Sequence, residues 1–394
     1  ALALAARGWS ACAQGLWRRS LRFDPLPRVG AATRAGAAEL ARNADAVDAD
    51  AVDAALGLPP LPGRPAGGGP TAFDLETTGL SGGAGTVAFL AAFARPAADG
   101  GVHIRQYFME DYPAEPAFIA ALDEELALAA PLVSYNGSSF DLPLYRGRCI
   151  MNGIRPRLPW AAIDLLHTAR RLYKRPLGDC SLGSVERAVL GMERGPDLPG
   201  ALVPEAYFRF LREGYHDELG LAMDHNAADV RALLELYGLV RLIIARALGG
   251  EADPSADAAE GVIAGAAESA LGAGSGAAAA VAPDLLGLAW LAARADPGRA
   301  TGILERAVAA GDGRAVRPLM RRYWKEDRKD ERLRLAPRLP DDAAGLLTKS
   351  IYEERLRGDA AAALRLARAA AALGGPLADR AAARAARLAR RVGL

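Results

Sequence analysis

The sequence predicts an α/β domain followed by an α-helical region. Two observations support this fold class. From residue 71 to about 245, short apolar runs of strand length alternate with segments whose apolar residues recur at the helical period. From residue 284 to 394 the pattern is helical and rich in Ala and Arg. A chain of 394 residues is long enough for two or three domains.

The α/β part is predicted to consist of short strands and flanking helices. The strands are expected at residues 71–76, 86–95, 102–110 and 131–135. The helices are expected at 115–130, 139–152, 162–174, 182–190, 205–214 and 217–247. The last helix is the longest, and Val230, Leu233, Tyr237 and Val240 follow the helical repeat along it.

Changes in composition divide the chain into four segments. Residues 1–64 are predicted to form a helical and loop N-terminal extension that ends in a connector rich in Pro and Gly. Residues 65–248 hold the α/β domain, and residues 249–283, mostly Ala, Gly and Ser, predict a flexible linker. In the helical region 284–394, residues 348–373 are typical of a helix, a Gly-Asp turn and a second helix, as in one tetratricopeptide-like unit.

Charge and cysteine content give only broad indications. The net charge of +1 provides no global argument for nucleic acid or for an acidic partner. Three widely spaced cysteines do not suit a disulfide framework and indicate a reducing, cytoplasmic setting. Pro283 and Asp284 interrupt the most apolar stretch, so no membrane contact is expected.

The first chemical signal is the pair Asp74 and Glu76 in "FDLETTGL", within a predicted strand. Alternate residues of a strand point to the same face, so both carboxylates would lie side by side. Two buried negative charges are costly unless a positive charge lies between them, and a divalent metal ion would supply it. The alternative is an exposed edge strand.

The second signal is Asp141 in "VSYNGSSFDLPL", where a predicted strand ends and a helix begins. Ligands commonly bind at this end of a strand in α/β sheets. The alternative is an acid that merely favours the helix dipole.

The third signal is His225 and Asp229 in "DHNAADV", four positions apart on the long helix. This spacing places them on the same side, one turn apart. A surface pair is the alternative reading of such a spacing taken alone. Asp224 lies about 140° around the helix from Asp229 and is expected to be a surface acid.

Together these signals predict a site with four carboxylates and one histidine. Hard oxygen ligands of this kind suit two Mg²⁺ or Mn²⁺ ions. Two such ions can stabilise the attacking and leaving oxygens of a phosphodiester, and a histidine can accept the proton of the attacking water. The residues therefore predict metal-dependent phosphodiester hydrolysis.

The order of these motifs resembles the DEDD exonuclease branch of the ribonuclease H-like superfamily. "FDLETTGL", "NGSSFDLP" and "HNAADV" are similar to its three motifs. More narrowly, "DLETTGLSGGAGTVAFL", "LVSYNGSSFDLPL", "IDLLHTARRLY" with "CSLGSVERAVLG", and "DLPGALVPEAYFRFLREG" resemble the YprB-type ribonuclease H-like domain over about residues 70–245. "IYEERLRGDAAAALRLA" is similar to that family's helical-repeat tail.

The resemblance implies a mixed five-stranded ribonuclease H-like sheet and a 3′–5′ exonuclease that acts on single-stranded DNA or RNA. It implies that Asp74, Glu76, Asp141 and Asp229 bind the two metal ions and that His225 is the general base. Members with this histidine usually separate it from the aspartate by five positions, whereas the separation here is four. The angle at which His225 approaches the water would therefore differ.

Four further residues are predicted to contact the substrate: Thr77, Leu80, Asn136 and Phe140. Asn136 either binds the substrate backbone or only forms the turn before Gly137. Leu80 and Phe140 either stack against a terminal base or pack in the core.

Basic segments outside these motifs allow two interpretations. His167, Arg170, Arg171 and Lys174 form a solvated basic face or contact phosphate. "RRYWK", residues 321–325, is either typical of single-strand binding or part of an ordinary repeat helix. The tail 351–394 holds nine Arg and four Asp or Glu, which predicts a solubilising face or a salt-sensitive nucleic-acid contact. The alternative to the exonuclease is a non-catalytic nucleic-acid-binding or scaffold protein whose helical tail binds a protein partner.

Overall fold

Two compact units make up the chain, residues 1–284 and residues 285–394. The computed structural model describes residues 2–24, 49–60, 68–79, 85–249 and 281–393. Most of the linker predicted at 249–283 lies outside these residues, as does Leu80.

A seven-stranded mixed sheet forms the centre of the first unit. Its strands are β1 (Ser10–Ala13), β2 (Leu16–Phe23), β3 (Gly69–Thr77), β4 (Ala88–Pro96), β5 (Val102–Met109), β6 (Ala129–Ser134) and β7 (Ala162–Asp164). Their order in the sheet is β1-β2-β5-β4-β3-β6-β7. The neighbours from β1 to β3 pair antiparallel, whereas β3, β6 and β7 pair parallel. The four strands predicted in this unit are all present, within a few residues of the expected bounds.

Eight helices of the described residues accompany the sheet. They are α1 (Leu2–Ala6), α2 (Ala49–Leu56), α3 (Glu115–Ala127), α4 (Asp141–Met151), α5 (Leu165–Leu177), α6 (Leu182–Val185), α7 (Val203–Glu213) and α8 (Asp217–Gly249). A π-helical turn, Glu186–Leu190, extends α6. All six helices expected from the sequence in this part are present, although the first residues of the segment 162–174 form β7 instead.

Strand β3 lies in the interior of the sheet because its apolar residues belong to the core. Phe73 and Leu75 are buried in one cluster with Phe118 and Leu122 of α3. Phe73 also stacks on Phe93 of β4, with ring centroids 5.0 Å apart. Asp74 and Glu76 alternate with Phe73 and Leu75 along the strand, so they point to the other face.

The structure of the first 24 residues differs from two predictions. This segment was expected to be helix and loop, and the sheet was expected to have five strands. Strand β2 pairs with β5 from Leu16 opposite Met109 to Phe23 opposite Val102, so the sheet gains two strands. Arg19 of β2 is buried and donates hydrogen bonds to Gln106 and to Asp224. Asp224 pairs with Arg7 and Arg19 and is half-exposed, as expected for a surface acid.

The second unit is helical over its described residues. Its helices are α9 (Leu285–Ala295), α10 (Pro297–Ala309), α11 (Val316–Lys325), α12 (Lys329–Arg334), α13 (Ala343–Tyr352), α14 (Ala360–Ala372) and α15 (Ala378–Arg391). The predicted helix–turn–helix at 348–373 is confirmed: Gly358 adopts a left-handed φ of 71°, and the Asp359 side chain caps α14. None of the described helices has the length and apolar character to cross a membrane.

Candidate metal and nuclease site

Asp74 and Glu76 lie near the C-terminal end of β3, on the face that carries α8. Both are half-buried. Asn226 of α8 donates a 2.8 Å hydrogen bond from Nδ2 to Oδ2 of Asp74. Asn226 is fully buried and also accepts a hydrogen bond from Gln106 of β5. The orientation of its amide is therefore fixed by contacts to two strands, β3 and β5.

Asp141 is brought to the same edge by the turn between β6 and α4. Asn136 adopts a left-handed φ of 66°, and its backbone N–H donates to Asp164, the last residue of β7. A Cβ atom on Gly137 would lie 2.5 Å from Ser134 and 3.0 Å from a carboxylate oxygen of Asp141. Gly137 therefore lets the backbone pass close to Asp141, which is buried as the first residue of α4.

His225 and Asp229 lie on one side of α8, as their spacing predicts. His225 Nε2 is 3.3 Å from Asp229 Oδ2. The other ring nitrogen, Nδ1, is 2.7 Å from Asp197 Oδ1, in the irregular segment before α7. His225 therefore bridges two carboxylates.

Arg194 is the cation of this site that the sequence patterns did not reveal. Its guanidinium binds Asp229 and Glu186, and its Nη1 lies 3.0 Å from His225 Nδ1 and 3.4 Å from Asp197. Its side chain is only 17% exposed, so these contacts form in a largely enclosed position. Arg194 and Asp197 come from residues 191–199, which have no helical or strand periodicity; "DLPG" at Asp197 was the only available signal.

The carboxylates at this edge of the sheet act on one another electrostatically. Burial, and then the charges of Asp229, Glu76 and Asp141, hold the pKa of Asp74 well above its usual range. Burial raises the pKa of Glu76 to about 8; the charges of Asp229 and Asp141 add to this effect, while that of His225 opposes it. Burial likewise raises the pKa of Asp141 to about 7. Asp74 and Glu76 therefore favour the proton-bound form near neutral pH unless positive charge is supplied.

His225 has the opposite electrostatic environment. Burial alone would lower its pKa, but hydrogen bonds and charges from Asp229 and Asp197 outweigh burial and raise the pKa to about 9. The imidazole is therefore positively charged at neutral pH. Together with Arg194 it places two cations beside Asp229.

The donor set fits a hard divalent ion in its chemistry, since Asp74, Glu76, Asp141 and Asp229 supply oxygen ligands in a buried, negatively charged position. In the described residues, however, no three His, Cys, Asp or Glu side chains converge closely enough to hold one ion. Asp229 is bound to Arg194 and Asp74 to Asn226. Ion binding would therefore require these side chains to exchange partners.

The residues predicted to contact substrate have different surroundings. The Thr77 side chain is buried and donates a 2.8 Å hydrogen bond to Gly79 O, at the end of β3. Asn136 is exposed, and its left-handed φ supports the turn-forming role. Phe140 is half-buried and immediately precedes Asp141. His167, Arg170, Arg171 and Lys174 are exposed on α5.

Five of the strands lie in the order β5-β4-β3-β6-β7, antiparallel up to β3 and parallel beyond it. Residues 71–241 match the model of the RNase_H superfamily. This segment, which contains all five predicted metal and base residues, is therefore a ribonuclease H-like domain.

The chain is also similar to the uncharacterized protein YprB of Bacillus subtilis (strain 168). The two are 41% identical over 169 residues, which are 42% of this chain and 40% of YprB. The ribonuclease H-like domain is thus of the YprB type, and the similarity spans less than half the length of YprB.

Proposed function

We propose that the chain hydrolyses phosphodiester bonds of single-stranded DNA or RNA with two Mg²⁺ or Mn²⁺ ions, as a 3′–5′ exonuclease. The observation that carries this proposal is the electrostatic coupling of Asp74, Glu76, Asp141 and Asp229 within a ribonuclease H-like domain. The charges of the other three carboxylates act on Asp74 and favour its protonated form, an arrangement that is costly to ionise and is typical of functional sites. Divalent cations would relieve this repulsion.

Each side chain has a proposed role. Asp74, Glu76, Asp141 and Asp229 would hold the ions, and bound ions would stabilise the negative charge that develops on the phosphate. Asn226 orients Asp74 through its hydrogen bond. His225 accepts a proton from the attacking water once it has lost its own, and Asp197 fixes the orientation of its ring.

Arg194 is proposed to hold Asp229 and His225 in place before substrate binds. Its guanidinium supplies positive charge to Asp229 in the described conformation and is long enough to turn toward a phosphate oxygen. Glu186, which Arg194 also binds, would keep it within the site.

The test is degradation of end-labelled single-stranded DNA and RNA with Mn²⁺ or with EDTA. We expect a metal-dependent ladder from the 3′ end, and we expect Asp74→Asn and Asp229→Asn to abolish it while circular dichroism shows an intact fold. Asp224→Asn is the matched control, because Asp224 lies on the same helix as Asp229 but binds Arg7 and Arg19 instead. Near-native cleavage by Asp74→Asn would refute the assignment.

A second candidate, a non-catalytic nucleic-acid-binding or scaffold protein, is favoured by one observation. Arg194 occupies Asp229, and no closed ion site exists among the described residues. A titration with Mg²⁺ or Mn²⁺ followed by thermal unfolding distinguishes the two. Stabilisation that disappears in Asp74→Asn supports the nuclease, and a melting temperature that does not respond to either ion supports the scaffold.

A further inference from the structure

A groove with basic and aromatic walls lies in the second unit, between α11 and α13. We call it the Trp324 groove. It encloses about 250 Å³. Its lining includes Arg317, Met320, Arg321, Trp324, Arg332 and Leu339.

Helix α11 has one buried face and one face that lines the groove. Val316, Leu319 and Tyr323 are buried and hold the helix to its unit. Arg317, Arg321 and Trp324 recur at i, i+4 and i+7, so they form a stripe on another side of the helix. The Trp324 side chain is 64% exposed, although burial in the core is the usual fate of a large aromatic ring.

The floor of the groove is apolar and its rim is positively charged. Met320 and Leu339 are buried beneath it. Within the described part of the chain, Arg321 and Arg332 have neither an ion pair nor a side-chain hydrogen bond. Arg317 binds both carboxylate oxygens of Asp342 at 2.6 Å. Two arginines therefore remain available for an anionic ligand next to an exposed indole.

We propose that the Trp324 groove is a second binding site for single-stranded nucleic acid. One base stacks on the indole of Trp324, and the guanidinium groups of Arg321 and Arg332 bind the adjacent phosphates. Every base offers a flat face to an aromatic ring, and arginine binds phosphate oxygens in pairs. An acidic peptide would satisfy the arginines but has no flat group for Trp324.

The size of the groove supports a single base over a peptide segment. Its volume lies below the lower end, about 300 Å³, of the range of pockets that enclose drug-sized molecules. A nucleobase is smaller than such a molecule, whereas a helical peptide needs a long apolar groove. The groove belongs to the second unit, whereas the residues proposed for catalysis belong to the first, and binding to the groove does not require cleavage.

The experiment is fluorescence anisotropy of a fluorescein-labelled oligothymidylate of ten nucleotides with the full chain in EDTA. We expect Trp324→Ala to weaken binding about 5- to 150-fold, the range that corresponds to loss of one stacked base. Trp324→Phe keeps an aromatic face and should retain most of the affinity. Because the side chain is largely exposed, its truncation removes little packing.

The double variant Arg321→Gln with Arg332→Gln tests the phosphate contacts. Each contact to a single strand contributes about 0.7 to the slope of log K against log salt, so loss of both should reduce the slope by about 1.4. Trp290→Ala and Arg357→Gln are matched controls outside the groove, at a half-exposed tryptophan and at an exposed arginine. Both should bind as the native chain does.

Three results would decide the proposal. Weak binding confined to the groove variants supports the proposal. This result would support it even if the native chain cleaved no nucleic acid in Mg²⁺, so the groove proposal and the nuclease proposal can fail independently. Groove variants that bind like the native chain would overturn it. A ten-residue glutamate peptide whose binding depends as strongly on Trp324 would overturn it in favour of an acidic peptide.

Discussion

At the scale of single residues, Asp197 has a defined effect on the charge of His225. Its carboxylate lies 2.7 Å from Nδ1 and favours the protonated ring. Burial opposes protonation, but the carboxylates on both sides outweigh it and raise the pKa to about 9. A general base must be neutral, so its activity increases as pH rises toward that value.

Asp197→Asn should therefore shift the pH dependence of cleavage. The variant loses one carboxylate that raises the pKa of His225, so the rising part of the rate profile should move to lower pH. Rates measured from pH 6 to pH 10 at saturating metal would detect this shift. Glu193→Gln, an exposed acid in the same segment, is the control. An unchanged profile would mean that Asp197 does not raise the pKa of the group that acts as general base.

Glu76 should make the metal-free protein less stable as pH rises. Burial raises its pKa from 4.5 to about 8, so between these values the folded chain binds more protons than the unfolded chain. Stability contributed by the protonated form is present below pH 4.5 and is lost as pH approaches 8. Urea unfolding in EDTA from pH 5 to pH 8 should show this decline, and Glu76→Gln should make it shallower. An equally steep decline in the variant would argue against the burial effect.

At the scale of elements, the turn between β6 and α4 depends on the absence of a side chain at Gly137. A Cβ atom there would lie 2.5 Å from Ser134, a distance that forces backbone movement. Gly137→Ala should destabilise the protein by roughly 1–3 kcal/mol, the usual cost of overpacking. It should also displace Asp141, so that cleavage falls more than stability alone would explain.

The control for this prediction is Gly147→Ala within α4. A Cβ atom at Gly147 meets nothing within 4 Å, and alanine is favoured over glycine in a helix by roughly 0.5–1 kcal/mol. Chemical denaturation should therefore show a lower free energy of unfolding for Gly137→Ala and a higher one for Gly147→Ala than for the native chain. Equal stability of the two would contradict the steric argument.

The elements that the sequence predicted are those whose signals are local. The period-two placement of Asp74 and Glu76, the four-residue spacing of His225 and Asp229, and the Gly358-Asp359 turn all depend on neighbours in the chain. Strand β2 was missed because its buried Arg19 breaks the alternation of apolar and polar residues. The hydrogen-bond partners of that arginine are Gln106, Met223 and Asp224, which are distant in sequence.

The site itself was predictable in part for the same reason. Its carboxylates lie on regular elements, whereas Arg194 and Asp197 lie in an irregular segment where no periodicity indicates which way a side chain points. Asn226 directly follows His225, but only the folded structure shows that it binds Asp74. The roles proposed for these residues, and the segment boundaries at 65, 249 and 284, remain predictions.

At the scale of the whole molecule, the residues proposed for catalysis all lie in the first unit. A chain of residues 1–284 should therefore retain metal-dependent cleavage of a short oligonucleotide. Its affinity for longer single strands should fall, because the Trp324 groove is absent. Cleavage assays and anisotropy on the truncated chain would measure both quantities. Loss of all cleavage from a folded truncated chain would show that the helical unit contributes to catalysis.

The two edges of the sheet have a consequence for how the protein behaves when concentrated. An unpaired strand edge attracts further strands, and long regular edges promote aggregation. Here the outermost strands are β1, with four residues, and β7, with three. Strands β1 and β2 cover the eight-residue β5, which would otherwise form an open edge. Chains shortened past Phe23 would expose the edge of β5, and we expect them to associate more than the full chain does as concentration rises.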